Sequence, residues 1–471
     1  MYNLQEMNTI KKHHIFILFL GIQTLLVVIS VGFPFFWDAA YHAQVALNIY
    51  ENEFNTIFPD NYSDAGHPTL FNLYLALGWK VLGKNLVVSH LLQLPFVWGY
   101  VYFVYKLIEK YVSPKHHWIA VMLLCAESTL TAQVMSLNPD MAMLCGFFMA
   151  LYGIDRQKPA YIIAGTVLLS LLSIRGWIMG IALCGIDFVN GGLDIKQWKK
   201  YIQRYILFAL LIAIWLFAHH YYTGRWFASE TYKSEFSWKI IPKNIIIFIF
   251  RLIDTGRIAL WILVLWFIFK MRKNILILFN KTYFLSLSAS ITLAVFFILF
   301  VPLTNPIGHR YFMTVYVLLI ILLVQTFFSH KSKTIIFILT GICFISGHFW
   351  IYPVPFANGW DASLAHIPYF NLKDEVLQQA EKQNIPYSQI HTFPPLHKSD
   401  YITRLSTKKA ENLPLLNGQN FTDAPYILYS NISNHFNKRE IQLLKSHYTS
   451  VYTQKRGFIV CTLYQKKQLR I

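Results

Sequence analysis

The sequence predicts a polytopic α-helical membrane protein that ends in a small water-soluble α/β domain, and three observations carry that expectation. Hydrophobic residues make up 55% of the 471 and charged residues only 14%, with a mean hydropathy of +0.41, whereas a soluble chain carries about 25% charged residues. Runs such as 14–33, 205–217 and 311–328 are nearly free of charge, and roughly 20 apolar residues suffice to cross about 30 Å of hydrocarbon. After Tyr352 the composition turns polar, with prolines, charges and short strand-like runs at 426–429 and 458–461.

The apolar runs place about eleven spans, at 14–33, 86–105, 117–136, 140–154, 160–174, 176–190, 204–221, 253–269, 282–301, 310–329 and 334–351. A membrane domain over 1–351 and a tail domain over 352–471 follow. Lys11 and Lys12 precede the first run as in a signal peptide, but the run is long and no small-x-small cleavage site follows before Pro34 and Trp37, so it is read as a retained span.

Taking the N-terminus as cytoplasmic makes every short inner loop basic. These loops hold Lys106, Lys110 and Lys115; Arg156 and Lys158; Lys196, Lys199, Lys200 and Arg204; Lys270, Arg272, Lys273 and Lys281; and Lys331 and Lys333. The positive-inside rule then puts the tail domain outside a plasma (inner) membrane. The net charge of +18 is explained by lysines and arginines beside anionic headgroups; no motif points to nucleic acid as a partner. Cys125, Cys145, Cys184 and Cys343 lie within apolar runs and Cys461 in the tail, so neither a disulfide framework nor a metal-binding CxxC follows.

The first outer loop, 34–85, is long enough to carry its own structure. The stretch 67–82 is apolar but holds Lys80 and the aromatics Phe71, Tyr74 and Trp79. Counting it as a span would invert every basic loop after it, so it is expected to lie in the outer interface, preceded by a second surface helix over 38–53. A second outer loop, from Tyr222 to about Leu252, is rich in aromatic and basic residues. No internal repeat or low-complexity segment is evident.

Candidate chemistry gathers at the outer ends of the spans. Trp37-Asp38-Ala39-Ala40-Tyr41-His42 follows the first span directly. A carboxylate there can ionise, face a headgroup and act as a general base, or it can simply cap the next helix. Pro59-Asp60-Asn61-Tyr62-Ser63-Asp64-Ala65-Gly66-His67-Pro68-Thr69-Leu70 comes next, and Asn138-Pro139-Asp140 opens a span with a second acid. Arg175-Gly176 sits in a very short outer turn, and His309-Arg310-Tyr311 opens the tenth span. Ionisable residues at membrane boundaries are costly. Arginine matches phosphate oxygens, although snorkelling would also place arginines here. In the tail, Gly359-Trp360-Asp361-Ala362 and His366 lie just beyond the last span, where the acid could reach a substrate at the outer surface or the run could form a domain-packing turn.

The order of these features resembles the GT-C superfamily of polyprenyl-phosphate-sugar-dependent glycosyltransferases, most of all glycosyltransferase family 39, the protein O-mannosyltransferases, and the lipid A aminoarabinose transferases. The resemblance covers roughly 14–190, with Asp38 as the family's acidic motif, His67-Pro68-Thr69 as its HPP-like motif, Asp140 as its second acid and Arg175-Gly176 as its basic turn. It implies a GT-C type fold with juxtamembrane helices in the first outer loop. It also implies that Asp38 is the catalytic base, that Arg175 and Arg310, with Lys80 or Lys84 as further candidates, hold the donor phosphate, and that Asp140 and His67 position the acceptor or a neighbouring group. The implied partners are a polyprenyl-phosphate-linked sugar donor, an acceptor lipid, protein or glycan, and membrane lipid. The chain departs from the family pattern at Ala39, where an acid often stands, and at Thr69, where the second proline stands.

No cofactor is expected. A divalent metal between Asp38 and Asp140 is conceivable but has no ligand cluster behind it. Two other readings fit the same sequence: a flippase for a lipid-linked glycan, and a ligase or polymerase using a diphosphate-linked oligosaccharide.

Overall fold

The computed structural model describes residues 4–59, 64–229, 234–270, 275–327, 334–353, 359–416 and 421–467. Asp60 to Ser63 of the first loop's motif lie outside the described residues, as do Arg272, Lys273, Lys331 and Lys333 of the expected inner loops.

Helices occupy every position where a span was expected. The first, α1 (Leu4–Ile29), is followed by α2 (Asp38–Glu51) and α3 (Leu70–Leu82), where the sequence places two surface helices. Next come α4 (Leu86–Leu91), α5 (Leu94–Tyr111), α6 (His117–Ala126), α7 (Ser128–Met135), α8 (Asp140–Asp155), α9 (Pro159–Leu172), α10 (Ile174–Asn190) and α11 (Trp198–Thr223). The bundle is completed by α12 (Ile241–Ile253), α13 (Ile258–Lys270), α14 (Ile275–Phe300), α15 (Met313–Phe327) and α16 (Thr334–Ser346). Among the described residues, four helices are long and apolar enough to cross a membrane: Leu86–Tyr111, Trp198–Thr223, Thr282–Phe300 and His309–Thr326. The bent pair α6–α7 makes a fifth if taken as one span, and the apolar segments His13–Ile29, Leu70–Leu82, Pro159–Leu172 and Ile335–Phe349 are shorter. The chain is an integral membrane protein.

Two expectations are corrected. The span at 117–136 is broken by a bend of 66° between α6 and α7. Glu127 sits at the break in extended conformation, its carboxylate accepts the Leu130 N–H at 2.7 Å, and it is paired with Arg257 at 2.6 Å. A buried acid can be kept there only by spending its oxygens on such donors. The second outer loop is not all loop: α12 occupies its last third, and the span expected from 253 starts only at Ile258, after a turn over 254–257.

Helix packing is tightest around α8, where every residue from Asp140 to Phe148 is buried. In lipid, close packing between helices replaces the hydrophobic effect, and small residues allow it. Gly165 of α9 shows this, because a Cβ there would collide with the Gly146 carbonyl and with Ala150 of α8.

The tail contributes α17 (Tyr369–Lys382), β1 (Ile390–His391), α18 (Asp400–Thr403), β2 (Tyr426–Ser430), α19 (Lys438–His447), β3 (Tyr448–Arg456) and β4 (Ile459–Lys466). The sheet order is β1-β2-β4-β3, with β1 parallel to β2 and the other pairs antiparallel. Both runs read as strands from the sequence fall on β2 and β4. Helix α17 covers β3 and β4, burying Leu372, Val376 and Ala380 with Ile427, Cys461 and Leu463.

This core is shared with the first loop. Phe36 lies within it, its ring stacked on His366 with centroids 4.1 Å apart. The Phe35 N–H donates to the Thr403 carbonyl at 2.8 Å. The chain leading into α2 is therefore fastened to the tail domain.

Candidate active site

Asp38 is the first residue of α2, and its carboxylate does not cap that helix. The preceding residue, Trp37, has φ 51° and ψ −122°, a backbone region that costs a non-glycine residue about 1–3 kcal/mol. The Phe35 and Phe36 anchors on one side and α2 on the other hold it there. The result is that Asp38 turns away from its own helix and meets Arg310, whose Nη2 donates to Asp38 Oδ2.

Arg310 is the hub of the cluster. Its Nη1 donates to Asp140 Oδ2 at 3.3 Å, and its Nε lies 3.1 Å from Asp361 Oδ2. Asp140, in the first turn of α8, is gripped a second time by Arg175, Nη1 to Oδ1 at 2.6 Å and Nη2 to Oδ2 at 3.3 Å. This fork-on-fork geometry is the strong form of the arginine–carboxylate pair. Arg175 also lies over the Tyr311 ring, 4.7 Å from its centroid.

Local sequence explains how these groups arrive. Ser173 alone separates α9 from α10, and its side chain accepts the Arg175 N–H at 3.2 Å. Gly176 lets α10 leave at that angle, since a Cβ there would strike the Leu169 carbonyl of α9. Beside Arg310, His309 is 2.7 Å from Asp254 and 3.3 Å from Arg251, and Tyr352 donates to Asp254. These contacts fix the backbone from which Arg310 projects.

Exposure separates the members. The Asp38 side chain is 44% exposed, against 4% for Arg310 and 1% for Asp140. Burial of its surroundings would push the Asp38 carboxyl up, but Arg310, with Arg175 and His42 further off, holds it below the ordinary value of 3.8. Asp361 goes the other way: burial and the neighbouring Asp38 and Asp140 raise it, and Arg310 does not offset them.

Two histidines line the approach. His42 lies one turn beyond Asp38, with the Asn72 amide 3.3 Å from its Nδ1 and donating to its carbonyl at 2.8 Å. Burial lowers His42 from 6.5 to about 4, and lowers His67 to about 3 with His42 and Arg175 adding to the effect. Both rings are neutral at ordinary pH, and His67 Nδ1 is buried without a partner.

Of the residues singled out from sequence, Asp38, Asp140, Arg175 and Arg310 come together, and His67 faces them. Neither arginine snorkels. Lys80 and Lys84 are placed elsewhere. Lys80 is exposed near the end of α3, about 15 Å along the helix from its start, and Lys84 lies over the Tyr401 ring at 4.5 Å. The composition of 67–82, apolar with the single lysine Lys80, does not show which end of α3 faces the acids. A guanidinium already lies between Asp38 and Asp140, so the pair does not present a cation site. Among the described residues, no group of three or more His, Cys, Asp or Glu is arranged to hold a metal.

Asp361, open from sequence to a packing turn or to a place near the substrate, lies in the cluster beside Arg310. The signal was present: Trp37-Asp38-Ala39 recurs as Trp360-Asp361-Ala362. His42 was likewise visible as an i+4 partner of Asp38 on one helix face. A cavity of about 280 Å³ is bounded by Phe36 and His366, with Ile29, Met135, Phe370 and Arg404, but by none of the five charged residues of the cluster.

No family model matches the chain, and no curated protein matches its sequence. Two crystal structures match its fold. One is ArnT from Cupriavidus metallidurans in the apo state, with a TM-score of 0.56 at 10% identity, covering 95% of this chain and 97% of that one. The other is the same protein bound to undecaprenyl phosphate, with a TM-score of 0.53 at 9% identity and the same coverage. The likeness spans the membrane helices and the tail domain together, and the chain shares the fold of that protein.

Proposed function

We propose that this protein is a membrane glycosyltransferase that moves a sugar from a polyprenyl-phosphate donor to an acceptor hydroxyl, with Asp38 as the base. The observation that carries this reading is the half-open Asp38 carboxylate held by the sealed Arg310–Asp140–Arg175 array. The fold shared with a protein crystallised with undecaprenyl phosphate supports the donor class. On this reading the cluster lies at the outer face of an inner membrane, with eleven spans, a cytoplasmic N-terminus and the tail domain outside. The charge pattern of the short loops supports that orientation.

The chemistry follows from the charges. The acceptor oxygen attacks the sugar C1 as the bond to the donor phosphate oxygen breaks, and the acceptor proton passes to the open Asp38 oxygen. Negative charge grows on the departing polyprenyl phosphate, where Arg175 and Arg310 would stabilise it. A carboxylate paired with arginine is a weak base. As the phosphate draws on Arg310, that pairing loosens and Asp38 becomes more basic at the point where a proton has to be taken. Neutral His67, with its free Nδ1, and Asn72-held His42 are placed to orient the acceptor. The hexose or pentose identity of the sugar sets no constraint on these steps.

A donor comparison tests the reading. Purified protein in liposomes is given polyprenyl-monophosphate sugars and diphosphate-linked oligosaccharides, with a crude envelope fraction as acceptor. Release of free polyprenyl phosphate from the monophosphate class alone is the expected result. Use of the diphosphate class alone would point to a ligase, and movement of the lipid across the bilayer without transfer would point to a flippase.

A further inference from the structure

The cluster that is to receive an anionic phosphate carries more negative than positive charge. Asp38, Asp140 and Asp361 face Arg175 and Arg310, while His42 and His67 are neutral. All three nitrogens of Arg310 also lie against carboxylates: Nη2 donates to Asp38, Nη1 donates to Asp140, and Nε is 3.1 Å from an Asp361 oxygen. An incoming phosphate that grips Arg310 through a pair of its nitrogens therefore meets a carboxylate already there.

The three acids are not equally able to give way. Asp140 is 1% exposed and holds Arg175 with both oxygens, so its departure would strand a buried guanidinium. Such stranding costs more than the pair itself is worth. Asp38 is needed in place to take the proton. Asp361 touches Arg310 through a single oxygen, is 17% exposed, and is the one acid of the three whose carboxyl is raised. Its backbone is meanwhile riveted to α7: Gln133 Nε2 donates to the Asp361 carbonyl at 2.7 Å and Thr129 Oγ1 to the Ala362 carbonyl at 3.3 Å. Rotation of the side chain alone frees the Nε edge.

We propose that Asp361 and the phosphate of the lipid donor compete for the Nε edge of Arg310, so that Asp361 sets how tightly the site takes a polyprenyl phosphate. This rests on the glycosyltransferase reading above. The tail domain thereby gains a defined part in the site: it supplies the exchangeable carboxylate, while the membrane helices supply the fixed ones. Asp361 acts through Arg310 and is a positioning residue.

Binding of undecaprenyl phosphate to the full-length protein in nanodiscs tests the proposal, with uncharged undecaprenol as the reference ligand. Asp361→Asn and Asp361→Ala are each expected to bind the phosphate at least about tenfold more tightly than wild type, the scale of one charge-assisted hydrogen bond. Their affinity for undecaprenol should not change. Equal or weaker phosphate binding by both variants overturns the proposal while leaving the function standing, provided wild type prefers the phosphate to the alcohol. If neither wild type nor variants show that preference, the proposal and the function fall together. The Ala variant guards against an Asn amide making a new contact of its own.

Discussion

The two ends of α10 carry buried arginine–carboxylate pairs made of the same parts, and they are built differently. At one end, Arg175 grips Asp140 within an array of three acids and two arginines, one acid of which stands 44% exposed. At the other, about 18 Å away along the helix, Asp187 meets Arg204. Both of its oxygens lie 2.7 Å from Arg204 Nη1, Tyr205 donates to it at 3.2 Å, and Gln157 takes Nη2 at 3.1 Å. That pair is balanced in charge and sealed, with 4% and 1% of the side chains exposed. A balanced, closed pair fastens helices together. On the proposed reading, an unbalanced, half-open one is the end that reacts. Ionisable residues at span ends are therefore not alike, and what separates them is charge balance and access.

The contrast breaks if the Arg204 end behaves like the Arg175 end. Arg204→Leu leaves Asp187 charged, buried and unpaired, and is expected to destabilise the protein by about 3–5 kcal/mol. The double variant Arg204→Leu with Asp187→Leu should recover most of that loss in thermal unfolding. Sugar transfer per folded molecule should stay within about twofold of wild type. A double variant that folds well but has lost transfer would give this end of α10 a role in the reaction.

The pH profile sharpens the comparison. Asp38 is held below its ordinary 3.8, so it is ionised, and able to act as a base, until the pH falls through that lowered value. His42 and His67, lowered to about 4 and about 3, stay neutral above those values. The expected kcat/KM is flat from about pH 5 to about pH 8. An acidic limb near 6.5 would move the base from Asp38 to a histidine. Smallest of all is the effect expected at Lys84 and Lys80. Neither touches the cluster, and alanine at either should change kcat/KM by less than about threefold; a larger loss would put the donor phosphate at that end of α3.

Much of the fold was legible because hydropathy speaks directly to a bilayer. The helices at the expected spans, the pair α2 and α3, and the strands β2 and β4 all follow from period and composition. The break at Glu127 was not legible, because nothing local says that an acid within an apolar run will meet Arg257, 130 residues later. For the same reason α12 went unseen: its polar residues Asn244 and Arg251 are buried against carbonyls of Val301, Leu303 and Ile307, contacts that only the folded chain makes. In the site, the four charged residues on span ends could be grouped because topology puts them on one side. Asp361 could not be weighed that way, since it reaches Arg310 only once the tail domain docks on Phe36.

The central claim is that Asp38, and not merely the charge cluster around it, takes the acceptor proton. Asp38→Asn keeps the shape of the side chain and one acceptor oxygen for Arg310 while removing the base. The measurement is the rate of sugar transfer by the purified variant in liposomes, alongside its thermal unfolding and its binding of undecaprenyl phosphate. Transfer should fall by about 10²- to 10⁴-fold, with unfolding little changed and the lipid still bound. A variant that binds the lipid and transfers sugar within about threefold of wild type would contradict the account.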